Sequence, residues 1–166
     1  MGVDGNRKGQ EYMRCLSRLL SEWVCGSSVK GILMAELPIR VKTTVVTPVD
    51  GWGGAGDFAV APEVQPFPFA MEAKDVEGWS FDGALQNKRW MVWNFWEQTL
   101  RQAEKVDLIP MLLFTKNRYP DWIMLPEGVD DFVENTLYIR SHGVEVMLLD
   151  DFLATPYRMQ QEHWSA

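Results

Sequence analysis

Cysteine and histidine are scarce in this chain of 166 residues: Cys15, Cys25, His142 and His163 are the whole supply. Two cysteines in or just after one helical stretch make no disulfide framework and fit a reduced, cytoplasmic setting. Histidine-metal nuclease centres and zinc deaminase centres need signatures such as H-x-E with paired cysteines, and neither is present. A phosphate-binding P-loop and a G-x-S-x-G elbow are also missing. No apolar run approaches the length of a membrane span, and the first residues lack a signal-peptide pattern. Cations are outnumbered: 16 Lys and Arg stand against 23 Asp and Glu, a net charge of −7 that argues against a nonspecific nucleic-acid coat.

What is present is ordinary globular material, 46% apolar and 23% charged, with a length best read as one domain over 1–166. The charge is unevenly spread. Residues 1–42 hold seven basic and four acidic residues, whereas the remainder holds nine and nineteen. Asp130, Asp131, Glu134, Asp150 and Asp151 supply much of the late acidity. A locally basic face can still bind phosphate on an acidic protein, with affinity that falls at high salt.

The most informative stretch runs from Asp57 to Lys74. Asp57-Phe58-Ala59-Val60 and Phe67-Pro68-Phe69-Ala70-Met71-Glu72-Ala73-Lys74 read as two short strands joined by a turn that Pro62 and Pro66 bracket. Side chains two apart on a strand share a face, so Glu72 and Lys74 project together while Met71 and Ala73 face the other way. Asp57 opens the first strand and is expected beside Glu72 across the ladder. Mg²⁺ takes oxygen ligands, commonly one or two carboxylates with water and substrate phosphate. Asp57, Glu72 and the carbonyl of Ala73 can supply such oxygens. Lys74 would then orient or deprotonate a metal-bound water and stabilise the charged transition state. A solvated Glu–Lys pair on an exposed strand is the bland alternative.

Elsewhere the pattern alternates helix and strand. Tyr12, Leu16, Leu19, Leu20 and Trp23 recur at helical spacing over 8–24, with residues 1–6 expected to fray and Gly26 as a stop. Arg7, Lys8, Arg14 and Arg18 lie on this helix and are available to phosphate or to plain solvent. A β-branched run from Ile39 to Thr47 predicts a strand. A glycine-rich loop containing Gly53 and Gly54 then leads directly into Asp57. A long helix over 81–105 carries Trp90, Trp93, Trp96, Leu100 and Ala103 along one side, with Met91 and Phe95 on a flank. That apolar surface suits either core packing or a homodimer interface. Strands are expected at 109–115, from Trp122 to Leu125, at 137–140 and at 144–148, with a short helix after Asp150.

Gly56-Asp57…Glu72-Ala73-Lys74, preceded by a helix opening Asn6-Arg7-Lys8-Gly9, resembles the PD-(D/E)XK nuclease superfamily. Within it the chain is most similar to small archaeal and phage-type Holliday-junction-resolving enzymes, from about Arg7 to about Leu125. Trp96-Glu97-Gln98 and Phe114-Thr115-Lys116-Asn117-Arg118 belong to the resemblance. It implies a restriction-endonuclease-like α/β core, a central mixed β-sheet flanked by helices. The implied site is Asp57, Glu72 and Lys74, with Mg²⁺ (or Mn²⁺) held by Asp57, Glu72 and Ala73. It also places the Gly53–Gly54 loop near the DNA backbone and lets Gln98 reach the site. Arg7, Lys8, Lys116 and Arg118 become candidate DNA contacts. Gly56 stands where the superfamily's name has proline. Such enzymes usually carry a first-helix glutamate four residues after the glycine of the Lys-Gly pair; here that place is Met13. Glu11 is the nearest carboxylate and the candidate further metal ligand, although two helical steps turn it by about 200°. Either it substitutes through altered geometry, or the site works with fewer carboxylates, or activity is weakened.

The sequence therefore predicts a Mg²⁺-dependent DNA endonuclease, acting as a homodimer on four-way junctions in the cytoplasm of a bacterium or a phage-infected host. RNase-H-like nucleases would use several carboxylates without a strand lysine, so Lys74 speaks against that fold. Two rivals stand beside this reading: a restriction- or repair-type nuclease acting on duplex DNA, and a non-cleaving DNA-binding relative in which Met13 marks lost activity.

Overall fold

A computed structural model describes residues 3–26, 41–43, 55–64, 66–86 and 90–164. The organising strand is β4 (Phe69–Asp75), flanked in parallel by the two-residue β2 (Ala55–Gly56) and by β5 (Ile109–Thr115). The sheet continues antiparallel through β6 (Trp122–Pro126), β8 (Val144–Leu148) and the edge strand β7 (Leu137–Ile139). Its order is β2-β4-β5-β6-β8-β7, a mixed sheet as expected for a restriction-endonuclease-like core. A separate pair joins β1 (Val41–Thr43) to β3 (Phe58–Val60).

Helices cover both faces, which explains why the central strands read as continuous apolar runs rather than alternating ones. On one face α1 (Val3–Cys25) lays Leu16, Leu20 and Trp23 against Phe69, Met71, Met111 and Leu113. The C-terminal helices α4 (Leu149–Ala154) and α5 (Tyr157–Trp164) add Phe152 and Tyr157 to the same core. On the other face, α2 (Phe81–Gln86) contributes Phe81, while α3 (Met91–Glu104) presents Trp93 and Trp96 to Leu112, Phe114 and Met124. Fully burying one such large apolar side chain contributes on the order of 1.5–3 kcal/mol.

Several expectations need correction. α1 begins at Val3, so a helix occupies part of the stretch expected to fray. The helix over 81–105 is interrupted, because Trp90 has an extended ψ of 129° and α3 starts only after it. Of the segment around Ile39–Thr47, the described residues 41–43 form β1 in the small two-stranded sheet; residues 39, 40 and 44–47 lie outside the described set. Above all, β3 and β4 do not form a hairpin. β3 turns away to pair with β1, and the short β2 before Asp57 pairs with β4 instead. The tryptophans of the 81–105 stretch take the core-packing alternative, as expected: Trp90, Trp93 and Trp96 are each at most 5% exposed, leaving Met91 and Leu100 as the exposed apolar groups of α3.

Away from β4, Glu145 is fully buried on β8, where it accepts hydrogen bonds from the backbone N–H groups of Asp130 (2.7 Å) and Gly128 (3.4 Å). Burial pushes its carboxyl above the ordinary value, and those N–H donors pull against the rise. A carboxyl raised on folding contributes stability that is complete below its unfolded pKa and lost as pH climbs through the folded one. Glu145→Gln should therefore flatten the fall in stability from about pH 4.5 upward. Urea midpoints of both proteins at pH 5 and pH 7 check this; an unchanged pH difference would contradict it.

Candidate active site

Gly56 sets the geometry. Its φ of +85° is open to glycine, and an added Cβ would lie 2.2 Å from the Met71 carbonyl oxygen. The close approach lets β2 end against β4, with the Asp57 N–H donating to Met71 O at 2.7 Å. In a continuing parallel ladder the next acceptor for Ala73 N–H would be the Asp57 carbonyl. Instead the Asp57 carboxylate takes that bond, Ala73 N–H to Oδ2 at 2.9 Å. The carboxylate is thus fixed at the point where β2 stops. N–H and C=O of one strand residue point to the same edge, so the Ala73 carbonyl also faces this opening.

Glu72 lies on the α3 face of β4, only 3% exposed. Its Oε2 accepts from Lys74 Nζ at 3.2 Å and from Gln98 Nε2 at 3.2 Å. Burial raises the Glu72 carboxyl above its usual range and the neighbouring Asp57 charge adds to the rise, against the opposing pull of Lys74. Two carboxylates, a lysine and an amide therefore meet at the β2 edge of β4. Among the described residues no group of three or more His, Cys, Asp or Glu side chains could hold a metal. The donor set is instead two acids and the Ala73 carbonyl, which matches a cation that keeps part of its water shell.

The first helix is placed differently. α1 covers the Met71–Ala73 face of β4, opposite Glu72, and Met13 packs against the buried cluster there. Glu11 is exposed and shares a groove with Arg7, Arg14 and Arg18, so the described structure does not bring it to Asp57 and Glu72. Met13→Glu would put a carboxylate at the margin of an apolar core. We expect it to lose about 1–3 kcal/mol of stability and to gain no cleavage. Thermal melting alongside a nuclease assay checks both; higher cleavage at low Mg²⁺ would contradict it.

The candidate DNA contacts divide. Lys8 bridges Asp75 (2.8 Å) and Glu77 (3.0 Å), and Glu77 also accepts from Asn117 N–H at 2.8 Å. The bond to Asp75 holds the Lys8 ammonium above its ordinary pKa, while the Asn117 N–H holds Glu77 below its own. Lys116 donates to the Trp79 carbonyl at 2.7 Å and sits over the Tyr119 ring at 3.9 Å, a tether within the chain. Arg118 is exposed with a φ of +60°, and Arg7 is exposed too. Gly53 and Gly54 lie outside the described residues. Asp75 and Glu77, the partners of Lys8, are not assigned a role from the sequence; the charged residues recurring at 72, 74, 75 and 77 are the available signal.

A mixed sheet between helices, with an Asp-to-Glu-x-Lys cluster at a strand end, defines a restriction-endonuclease-like core of the PD-(D/E)XK superfamily. The family model described as "Phage putative PDDEXK endonuclease" matches residues 4–148, and the chain belongs to that family. No curated protein and no solved structure is significantly similar to it. Among the described residues no helix is long and apolar enough to cross a membrane.

Proposed function

We propose that the protein is a divalent-metal-dependent DNA endonuclease whose site is Asp57, Glu72 and Lys74, with four-way junctions as its preferred substrate. The observation that carries the reading is the meeting of Asp57 and Glu72 where β2 gives out, with Lys74 and Gln98 both bonded to Glu72. Asp57, Glu72 and the Ala73 carbonyl would hold Mg²⁺ or Mn²⁺. Such an ion supplies a water of lowered pKa and offsets charge developing on the phosphate. Gln98 and the Ala73 N–H fix the two carboxylates, so neither must reorganise when substrate arrives. Lys74, half-buried beside Glu72, is placed to orient or deprotonate the attacking water and to stabilise the developing negative charge.

The preference for junctions rests on the resemblance of the motif set, and a homodimer would present two such sites for paired cuts. Met91 and Leu100 are the exposed apolar groups that α3 would bring to that contact. The test is incubation with four-way and linear duplex DNA, with and without Mg²⁺, alongside sedimentation at micromolar protein. Metal-dependent, symmetric junction cutting by a species of twice the 19.1 kDa chain mass is expected. Equal cutting of linear duplex would move the assignment to a duplex nuclease, and binding without cutting to a non-cleaving relative.

A further inference from the structure

The nuclease reading leaves the outer side of α1 without a role. At about 100° per residue, Arg14 and Arg18 return to within about 20° of Arg7. That line lies opposite Leu16, which is fully buried in the core. All three arginines are exposed, and among the described residues none makes an ion pair or side-chain hydrogen bond. They line one groove of about 750 Å³, in which Glu11 is the single acid among the described lining residues. Lys8, a quarter turn away, is occupied by Asp75 and Glu77. The helix thus separates its cations into one internal clasp and three open guanidinium groups.

We propose that Arg7, Arg14 and Arg18 form a backbone-gripping stripe that holds DNA by its phosphates, without reading sequence. The choice of DNA as partner rests on the nuclease reading. Eleven residues of helix rise by about 16 Å, which spans roughly five nucleotide steps of one strand. The stripe starts at Arg7, next to Lys8, and Lys8 touches Asp75, the residue after Lys74. One end of the stripe therefore starts near the Asp75 end of β4, and the rest runs along the side of α1 turned away from the sheet. Guanidinium forks match phosphate oxygens in pairs and stay charged at any working pH. The competing account is a solvated helix face that touches nothing.

Fluorescence anisotropy separates the two, using labelled junction and duplex DNA with Asp57→Asn protein to prevent cutting. Each phosphate contact contributes about 0.9 to the slope of log affinity against log salt. Replacing all three arginines with glutamine should lower that slope by about 2.7 and weaken binding at least tenfold at about 0.1 M salt. The Arg→Lys triple variant should keep most of the slope, which guards against a folding artefact. Unchanged slope and affinity in the glutamine variant would overturn the stripe, even if the wild-type protein cleaves DNA. A reduced slope in a protein that never cleaves would support the stripe while removing the nuclease assignment.

Discussion

Asp57→Asn and Glu72→Gln should each lower cleavage by about 10³-fold or more, a loss of about 4 kcal/mol in transition-state stabilisation. Both changes preserve shape and remove one charged oxygen from the place where the two carboxylates meet. DNA binding should stay within a few-fold of wild type or tighten, because a negative charge near the phosphates has gone. Single-turnover cleavage with saturating enzyme measures the first effect, and anisotropy measures the second. Near wild-type cleavage by either variant would move the chemistry elsewhere in the chain.

Gly56→Ala should produce the second large effect, by a different route. The new methyl group would meet the Met71 carbonyl at 2.2 Å in a backbone with φ of +85°, so the backbone must shift. Left-handed strain and the clash together suggest a loss of about 2–4 kcal/mol in stability. β2 has only two residues, so the easiest relief is for it to move away from β4. That movement takes the Asp57 carboxylate from the Ala73 N–H, and cleavage should fall even where the protein remains folded. Gly9→Ala is the matched control. Among the described residues a Cβ there meets nothing within 4 Å, and alanine in a helix should raise stability by about 0.5–1 kcal/mol. Equal behaviour of the two variants would contradict the assigned role of Gly56.

Much of this arrangement could be read from local pattern, because the side-chain period of a strand decides which residues share a face. The joint projection of Glu72 and Lys74, and the strands at 109–115 and 144–148, follow from that rule and from two-sided burial. The pairing of strands did not follow. Nothing within 57–74 reveals that β3 belongs to another sheet, since a strand's partner is set by distant residues such as Val41 and Lys42. Partners of long cations were hidden for the same reason. Lys8 meets Glu77 across 69 positions, and Lys116 meets Trp79 across 37, so a count of basic residues overstates the charge free to meet DNA. The α3 tryptophans show the limit of periodicity: spacing identifies an apolar side, but the facing sheet decides that it is core.

The central claim is that Asp57 and Glu72 together form one divalent-cation site at the end of β2. Titration of Mn²⁺ into the protein without DNA, followed by electron paramagnetic resonance of the free ion, tests it most directly. One bound ion per chain is predicted for the wild type, weakened at least tenfold by Asp57→Asn and likewise by Glu72→Gln. An ion bound with the same affinity in either variant would contradict the site.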